Sequence, residues 1–446
     1  ATYQKDVTAT VNVKHGNVFA DKSGKQDPNN ANYVTWAVTI NPSQSTMSNV
    51  VITYTPSINQ VLAEDSFAIY GTKVDQAGNI TKDASVVLGK GKDYTVDIET
   101  NNEIGQQVAT IKMNGTIDKA YIMEYKALIM PENNGENTLT NKISIKGDGQ
   151  KEVEGNTEES TKVVVSIGTG EGSKSSVNIV KVDADDNKTP LKGAELELWS
   201  VDKDGKKQQI VRSGVTNKKG ELKFGNLRAT NYLLVETKAP AGYTISDELK
   251  NGKKIKLEAD KEGQEVSTLK VENAVPEISF NKVDVKGKAL AGAVFAIKNE
   301  DSRYYNGLKA DKTVKWVERG EISADTKTAL TSDENGKVTV KGLPEGEYQL
   351  VELSAPEGYE TSDKTIDFEV VNKDGQIKLK GAIADVENEA TQFVDIPIEK
   401  VWNDKDNQDG IRPVKVTVEL HADGKASGKT VELNTENDWK ASFKKL

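Results

Sequence analysis

Apolar and polar residues alternate with a period of two along most of the chain. In "YVTWAVTI" (33–40), Val34, Trp36, Val38 and Ile40 fall on one face of an extended strand. Residues 50–55 and 121–129 repeat the pattern, and similar runs recur to the end of the chain. Turn clusters such as "DADDNKTP", "DKDGKK", "NKKGE", "DENGK", "NKDGQ" and "HADGK" separate them. Short strands at this spacing predict an all-β chain of sandwiches, and strongly helical patterns are scarce. The alternation is too regular for a disordered polar chain.

The alternation breaks its own rule at repeated places. In "NYLLVETKAPAGYT" (231–244), Glu236 shares a face with Tyr232 and Leu234. In "EYQLVELSAPEGYE" (347–360), Glu352 shares a face with Tyr348 and Leu350. Both strands run into Ala-Pro-x-Gly-Tyr. Upstream, Lys181 ends the stripe Val177–Ile179, Lys282 ends Ile278–Phe280, and Lys400 ends Val394–Ile396–Ile398. Downstream, Asn273 continues the face of Leu269 and Val271, and Asn388 that of Ala384 and Val386. Each complete repeat therefore aims a lysine, a glutamate and an asparagine at its own core.

These repeats organise the chain. Residues 1–172 form an N-terminal block, and the polar Gly/Ser-rich stretch "GTGEGSKSS" (168–176) reads as a linker. Repeats are expected at 173–275 and 276–390, with a partial third at 391–446. Glu-to-Asn spacing is nearly constant, 236 to 273 and 352 to 388. Lys-to-Glu spacing grows from 181–236 to 282–352, because "SRYYNGLKADKTVKWVERGEISADTK" is inserted in the second copy. Such an insertion predicts a surface loop or extra hairpin. The third copy stops before any Val-Glu-Thr or Val-Glu-Asn segment, so the sequence is expected to be a fragment, and Lys400 has no partners in it.

Chemistry follows from burial. Desolvation pushes a lysine pKa down and a glutamate pKa up, so the pair becomes neutral. A neutral amine is a nucleophile, a neutral carboxyl can polarise an amide and shuttle protons, and an asparagine offers an electrophilic carbon. The expected product is a Lys–Asn isopeptide bond with loss of one ammonia, joining Lys181 to Asn273 and Lys282 to Asn388. Glu236 and Glu352 are the expected catalytic carboxyls. The competing reading is a buried ion pair with asparagine as a hydrogen-bond partner.

Composition narrows the alternatives. The 446 residues contain no cysteine and only His15 and His421. Disulfides, thiol chemistry and multi-histidine metal sites are thereby excluded. A net charge of −10 argues against nucleic acid or anionic membranes as partners. "DADDN" (183–187) and "NDKDNQDG" (403–410) lack the bidentate glutamate of a calcium loop and read as hairpin turns. Scattered acid pairs suit solvated sheet faces better than a glycosidase. Trp36, Trp199, Trp316, Trp402 and Trp439 read as packing residues. No metal, no cofactor and no membrane span is expected, and no enzymatic activity beyond the single autocatalytic condensation.

"YLLVETKAPAGY" resembles the E-box of pilins, and "KVWNDKDNQDGIRPVKVTVELHADGK" resembles the opening of B-repeats in collagen-adhesin-type proteins. Residues 177–446 thus resemble the Cna B-type domains of Gram-positive cell-wall-anchored surface proteins. The resemblance implies inverse-immunoglobulin sandwiches carrying the triads Lys181–Glu236–Asn273 and Lys282–Glu352–Asn388. "YVTWAVTINPSQSTMSNVVITYTPS" is similar to the A-type immunoglobulin-like domains of the same proteins, which often carry an aspartate-assisted Lys–Asn bond. There the candidate asparagine is Asn141, but Tyr54 stands where the aspartate is expected and Lys14 is out of phase with Val11 and Val13. The implied function is an adhesin or its stalk. The alternatives are a sortase-polymerised pilus subunit and a secreted hydrolase with B-type spacers. Implied partners are a host extracellular-matrix protein or glycan and, through a sortase signal outside this sequence, the cell wall. Lys162 is the candidate for an intersubunit linkage.

Overall fold

The computed structural model describes residues 20–148, 153–168, 171–326 and 330–446. Strands joined by turns make up most of their regular structure, and helix is almost absent among them, as the alternation predicts. The chain divides into two compact units, the first taking in the described residues up to Pro276 and the second beginning at Glu277.

The N-terminal sandwich packs two sheets. One orders the strands Ala20–Gln26, Tyr33–Ile40, Tyr121–Ile129, Ala68–Val74 and Ile80–Val87. The other orders Val153–Val165, Gly135–Asp148, Met47–Pro56, Gln107–Met113 and Tyr94–Thr100. Period-two faces close on each other, so Val34, Trp36, Val38 and Ile40 are fully buried against Val50, Ile52, Tyr54 and Ile111. The Trp36 indole N–H donates to Gln60 Oε1 at 2.8 Å, which satisfies the one polar atom that this large side chain brings inside.

The first repeat module, in the same unit, is a smaller sandwich. Its three-stranded sheet places Lys174–Asp183 between Glu221–Arg228 and Thr268–Asn273. Its four-stranded sheet orders Lys207–Val215, Glu195–Val201, Asn231–Lys238 and Lys253–Lys256. The opening and closing strands pair in parallel, with Lys181 opposite Val271 and Asp183 opposite Asn273. In the second unit the next module repeats this. Glu277–Asp284 pairs with Lys337–Lys341 on one side and in parallel with Val386–Asn388 on the other. The insertion forms the hairpin Tyr304–Leu308 and Val314–Val317, joined to Val294–Asn299. The C-terminal segment holds a two-stranded pair, Ile396–Glu399 with Lys440–Phe443, and the hairpin Lys415–Ala422 with Lys425–Asn434.

The strand Lys174–Asp183 begins inside the stretch expected as a linker. Ser175 is fully buried there, and its hydroxyl donates to Glu258 O at 2.6 Å. Sequence polarity concealed this because the buried group is a small hydroxyl with a main-chain partner. The first module also sits directly on the N-terminal sandwich. Val61, Leu128 and Met130 join the apolar core of Val177, Leu196 and Leu198. Gly225 N donates to Asn102 O at 2.8 Å, and Asn226 Nδ2 donates to Ile104 O at 2.9 Å. A Cβ on Gly225 would lie 2.0 Å from Glu103 O, so only glycine permits this approach. Gly225→Ala should therefore weaken the docking by about 1–3 kcal/mol. Scanning calorimetry of the whole chain should show the melting of the first module moving down and away from that of the N-terminal sandwich.

Candidate functional site

The parallel pairing of first and last strands builds the site. Lys181 and Asn273 stand on neighbouring strands of one sheet, and Glu236 reaches in from the facing sheet, where it pairs in register with Leu196. All three are buried, at 0%, 1% and 2% exposure for Lys181, Asn273 and Glu236. Lys181 Nζ donates to Glu236 Oε2 at 3.1 Å and to Glu272 O at 3.1 Å. Asn273 Nδ2 donates to the same Glu236 Oε2 at 3.0 Å and to Thr244 O at 3.0 Å. One carboxyl oxygen thus bridges the amine and the amide. Glu236 Oε1 and Asn273 Oδ1 are buried with no hydrogen-bond partner, a state that costs about 1–3 kcal/mol per group.

Burial pushes the Lys181 amine below its usual value, opposed by the nearby Glu236 charge. It pushes the Glu236 carboxyl up, opposed by Lys181. Both directions favour the neutral amine beside the neutral acid.

In the second module Asn388 Nδ2 donates to Glu352 Oε2 at 2.9 Å and to Glu360 O at 2.9 Å. Glu352 Oε2 also accepts the Ser362 N–H at 2.6 Å. Lys282 is fully buried, and burial lowers its pKa. Its Nζ donates to the main-chain carbonyls of Val283 and Val386, at 2.8 and 2.9 Å. A cleft of about 410 Å³ opens onto Glu352 and Asn388, flanked by Phe295, Ser362 and Val386. The glutamate and asparagine meet as the sequence suggests, while the amine is turned to carbonyls.

Lys400 lies apart from any such set. It is half-buried, its ammonium 4.5 Å from the centre of the Trp402 ring, which packs edge-on against Trp439. In the N-terminal sandwich Asn141 is fully buried and donates through Nδ2 to the Tyr125 hydroxyl. Tyr125 packs edge-to-face with Tyr54, their centroids 5.2 Å apart. Burial raises both phenols, so they stay neutral. Two tyrosines thus occupy the surroundings of this amide. Lys14 lies outside the described residues, and Lys162 is exposed beside Glu136 at 2.8 Å.

The carboxylates of the two acidic loops serve the turns themselves. Asp186 accepts the N–H groups of Lys188 and Thr189, both at 2.9 Å, and Asp404 holds Arg412 through two bonds of 2.6 Å. Sequence reasoning missed Thr244 O, Glu360 O and Tyr125. The first two act through the main chain and leave no residue-type signal. Among the described residues no helix is long and apolar enough to cross a membrane.

Tandem β-sandwiches with a buried Lys and Asn on parallel-paired terminal strands, and a Glu from the facing sheet, are what three domain-family models match along this chain. Residues 17–156 match the Collagen binding domain, 175–273 and 276–383 the Prealbumin-like fold domain, and 396–446 the Cna protein B-type domain. A relative named collagen adhesin, from Staphylococcus aureus, is 26% identical over 447 residues, covering 96% of this chain and 35% of that protein. The chain thus spans about a third of the length of that relative. Among solved structures, the shaft pilin SpaA of Lactobacillus rhamnosus GG is 20% identical, over 50% of this chain and all of that one, with a TM-score of 0.26. The Bacillus anthracis TIE protein is 22% identical over 95% of this chain and 67% of that one, also with a TM-score of 0.26. The resemblance to Gram-positive surface proteins read from the E-box and B-repeat segments agrees with these family matches.

The directions of the two shifts predict a pH signature in a chain that keeps Lys181 and Glu236 but lacks the asparagine. In Asn273→Ala, the unfolded state binds the extra proton between the lowered Lys181 value and 10.5, so stability rises with pH there. Between 4.5 and the raised Glu236 value the folded state binds the extra proton, so stability falls as pH rises. Tm against pH should show a trough between these windows. The trough should vanish when Lys181→Met and Glu236→Gln are added.

Proposed function

We propose that the chain is part of a bacterial surface adhesin, anchored to the cell wall and exposed outside the cell. Its N-terminal sandwich presents a ligand surface, and its repeat modules form a stalk locked by autocatalytic Lys–Asn isopeptide bonds. The observation that carries the reading is the single Glu236 oxygen bridging the Lys181 amine and the Asn273 amide inside a dry core. In the condensation the neutral Lys181 Nζ attacks Asn273 Cγ. The Nζ–Cγ bond forms, the Cγ–Nδ2 bond breaks, and Glu236 passes the amine proton to the leaving nitrogen. One ammonia departs and the carboxyl is regenerated. Lys282, Glu352 and Asn388 perform the same exchange once the amine swings from its carbonyl partners to Asn388.

Such a bond suits a stalk. It closes a loop of about 90–110 residues, worth roughly 4–5 kcal/mol by analogy with a disulfide of that span. It joins the two strands through which force enters and leaves a module. The match of residues 17–156 to a collagen binding domain, and the name of the Staphylococcus aureus relative, support collagen as the ligand. The prealbumin-like matches of residues 175–273 and 276–383 support a second reading, a sortase-polymerised pilus subunit. A covalent ladder of multimers on the native cell wall would favour that reading.

Intact-mass measurement tests the bonds. The chain should be lighter by two ammonias, Glu236→Ala and Glu352→Ala should each restore one, and each should lower Tm. An unmodified mass in the parent chain would leave only buried ion pairs. Binding of the whole chain to immobilised triple-helical collagen tests the ligand, and the absence of binding at micromolar concentrations would remove collagen from the reading.

A further inference from the structure

The Ala-Pro-x-Gly-Tyr segment after each glutamate has no place in the chemistry so far. In the first module Tyr243 N donates to Pro240 O at 3.0 Å, closing a turn in which Gly242 has φ +83°. The turn delivers Thr244, whose N–H donates to Ala274 O at 3.0 Å and whose carbonyl accepts from Asn273 Nδ2. The second module repeats this. Tyr359 N donates to Pro356 O at 3.1 Å, Gly358 has φ +83°, Glu360 N donates to Glu389 O at 2.9 Å, and Glu360 O accepts from Asn388 Nδ2.

This carbonyl decides how the asparagine amide is oriented. A neutral carboxyl can accept from an amide nitrogen or donate to an amide oxygen, so Glu236 alone tolerates either orientation. A main-chain carbonyl can only accept. Thr244 O therefore fixes Nδ2, the leaving nitrogen, toward Glu236, even though Asn273 Oδ1 is left without a partner.

The two modules differ in what holds the turn. Tyr243 is buried, and its hydroxyl donates to Asp183 Oδ2 at 2.6 Å. Asp183 lies two residues beyond Lys181 on the same strand and opposite Asn273 in register. Burial raises the Tyr243 pKa, so the hydroxyl remains a donor. Asp183 Oδ1 also accepts the Asp185 N–H, at 2.8 Å, as Asp284 Oδ1 accepts those of Lys286 and Lys288 at 2.8 and 2.9 Å; but in the second module Tyr359 is only half-buried, and no bond like that of Tyr243 to Asp183 joins it to Asp284 among the described residues. That is also the module whose lysine faces carbonyls and whose site opens into a cleft.

We propose that Tyr243 and Asp183 are positioning residues for the first condensation: their hydrogen bond latches the 239–244 turn to the lysine-bearing strand, so that Thr244 O holds the Asn273 leaving nitrogen on Glu236. The inference rests on the isopeptide reading given above. The second module, without this latch, condenses more slowly than the first.

The test follows ammonia loss over time in freshly synthesised whole chain, with crosslinked peptides assigned to each module by digestion. Tyr243→Phe and Asp183→Ala should slow the Lys181–Asn273 bond roughly tenfold, the scale of one lost hydrogen bond. Asp183→Asn, which keeps an acceptor, should condense like the parent. The Lys282–Asn388 bond, formed at its parental rate in every variant, reports that the chain has folded. A readout independent of rate uses Glu236→Gln, which holds the first site unreacted. There the Asn273 side-chain amide protons should be protected from exchange, and adding Tyr243→Phe should remove the protection. A first bond forming at the parental rate in Tyr243→Phe, or protection unchanged by it, overturns the latch. A parent chain that loses no ammonia at either site overturns the isopeptide reading itself, and the latch with it.

Discussion

Parallel pairing of the first and last strands is the constraint on which each module depends. In an antiparallel sandwich the two ends of the chain are free to leave from different edges. Here Lys174–Asp183 and Thr268–Asn273 run side by side in register, as do Glu277–Asp284 and Val386–Asn388. A lysine near the end of the first strand then faces an asparagine two positions along the last, across a single interstrand spacing of about 5 Å. The facing sheet supplies the glutamate. Without the parallel pair, the three side chains would share a core but would not be brought to one point in it.

The same constraint explains the cost that each module carries. A lysine with 0% exposure is among the least favourable residues a core can hold. A lone ion pair would recover only part of that cost, and replacement by packed apolar side chains often stabilises a fold. The orphaned oxygens of Glu236, Asn273, Glu352 and Asn388 add to the burden. Destabilising groups gathered at one point and repeated in two modules are what the proposed condensation would need before it occurs. They make little sense as an end in themselves. On the proposed reading, condensation would remove one charge-bearing group and fix the strands in one step.

Much of this was legible in the sequence, because a period of two turns every inward polar residue into a visible exception. Tyr232, Leu234 and Glu236 announce the acid, and Val177, Ile179 and Lys181 announce the amine. What stayed hidden belongs to the main chain or to small side chains. Thr244 O and Glu360 O act through carbonyls that every residue type possesses. Ser175 hides a strand start inside a Gly/Ser-rich stretch because its hydroxyl finds Glu258 O. The orientation of Lys282 toward Val283 O and Val386 O could not be read from spacing, since its strand pattern matches that of Lys181.

The four candidate positions show how narrow the requirement is. Asn141 is as buried as Asn273, yet its side-chain amide meets the Tyr125 phenol. Burial raises that phenol's pKa, so it stays neutral. Lys400 continues an apolar stripe in sequence as Lys181 does, but its amine lies over the Trp402 ring, with neither a glutamate nor an asparagine beside it among the described residues. Lys282 has its acid and amide nearby and differs from Lys181 in which acceptors hold its amine. Burial, a stripe-ending lysine and an acid–amide pair thus occur apart from one another as well as together. On the proposed reading an amine and an amide must meet at one buried carboxyl: the first module holds both on Glu236 Oε2 through both sheets and the turn that follows its glutamate, and the second reaches that state once Lys282 turns from its carbonyls.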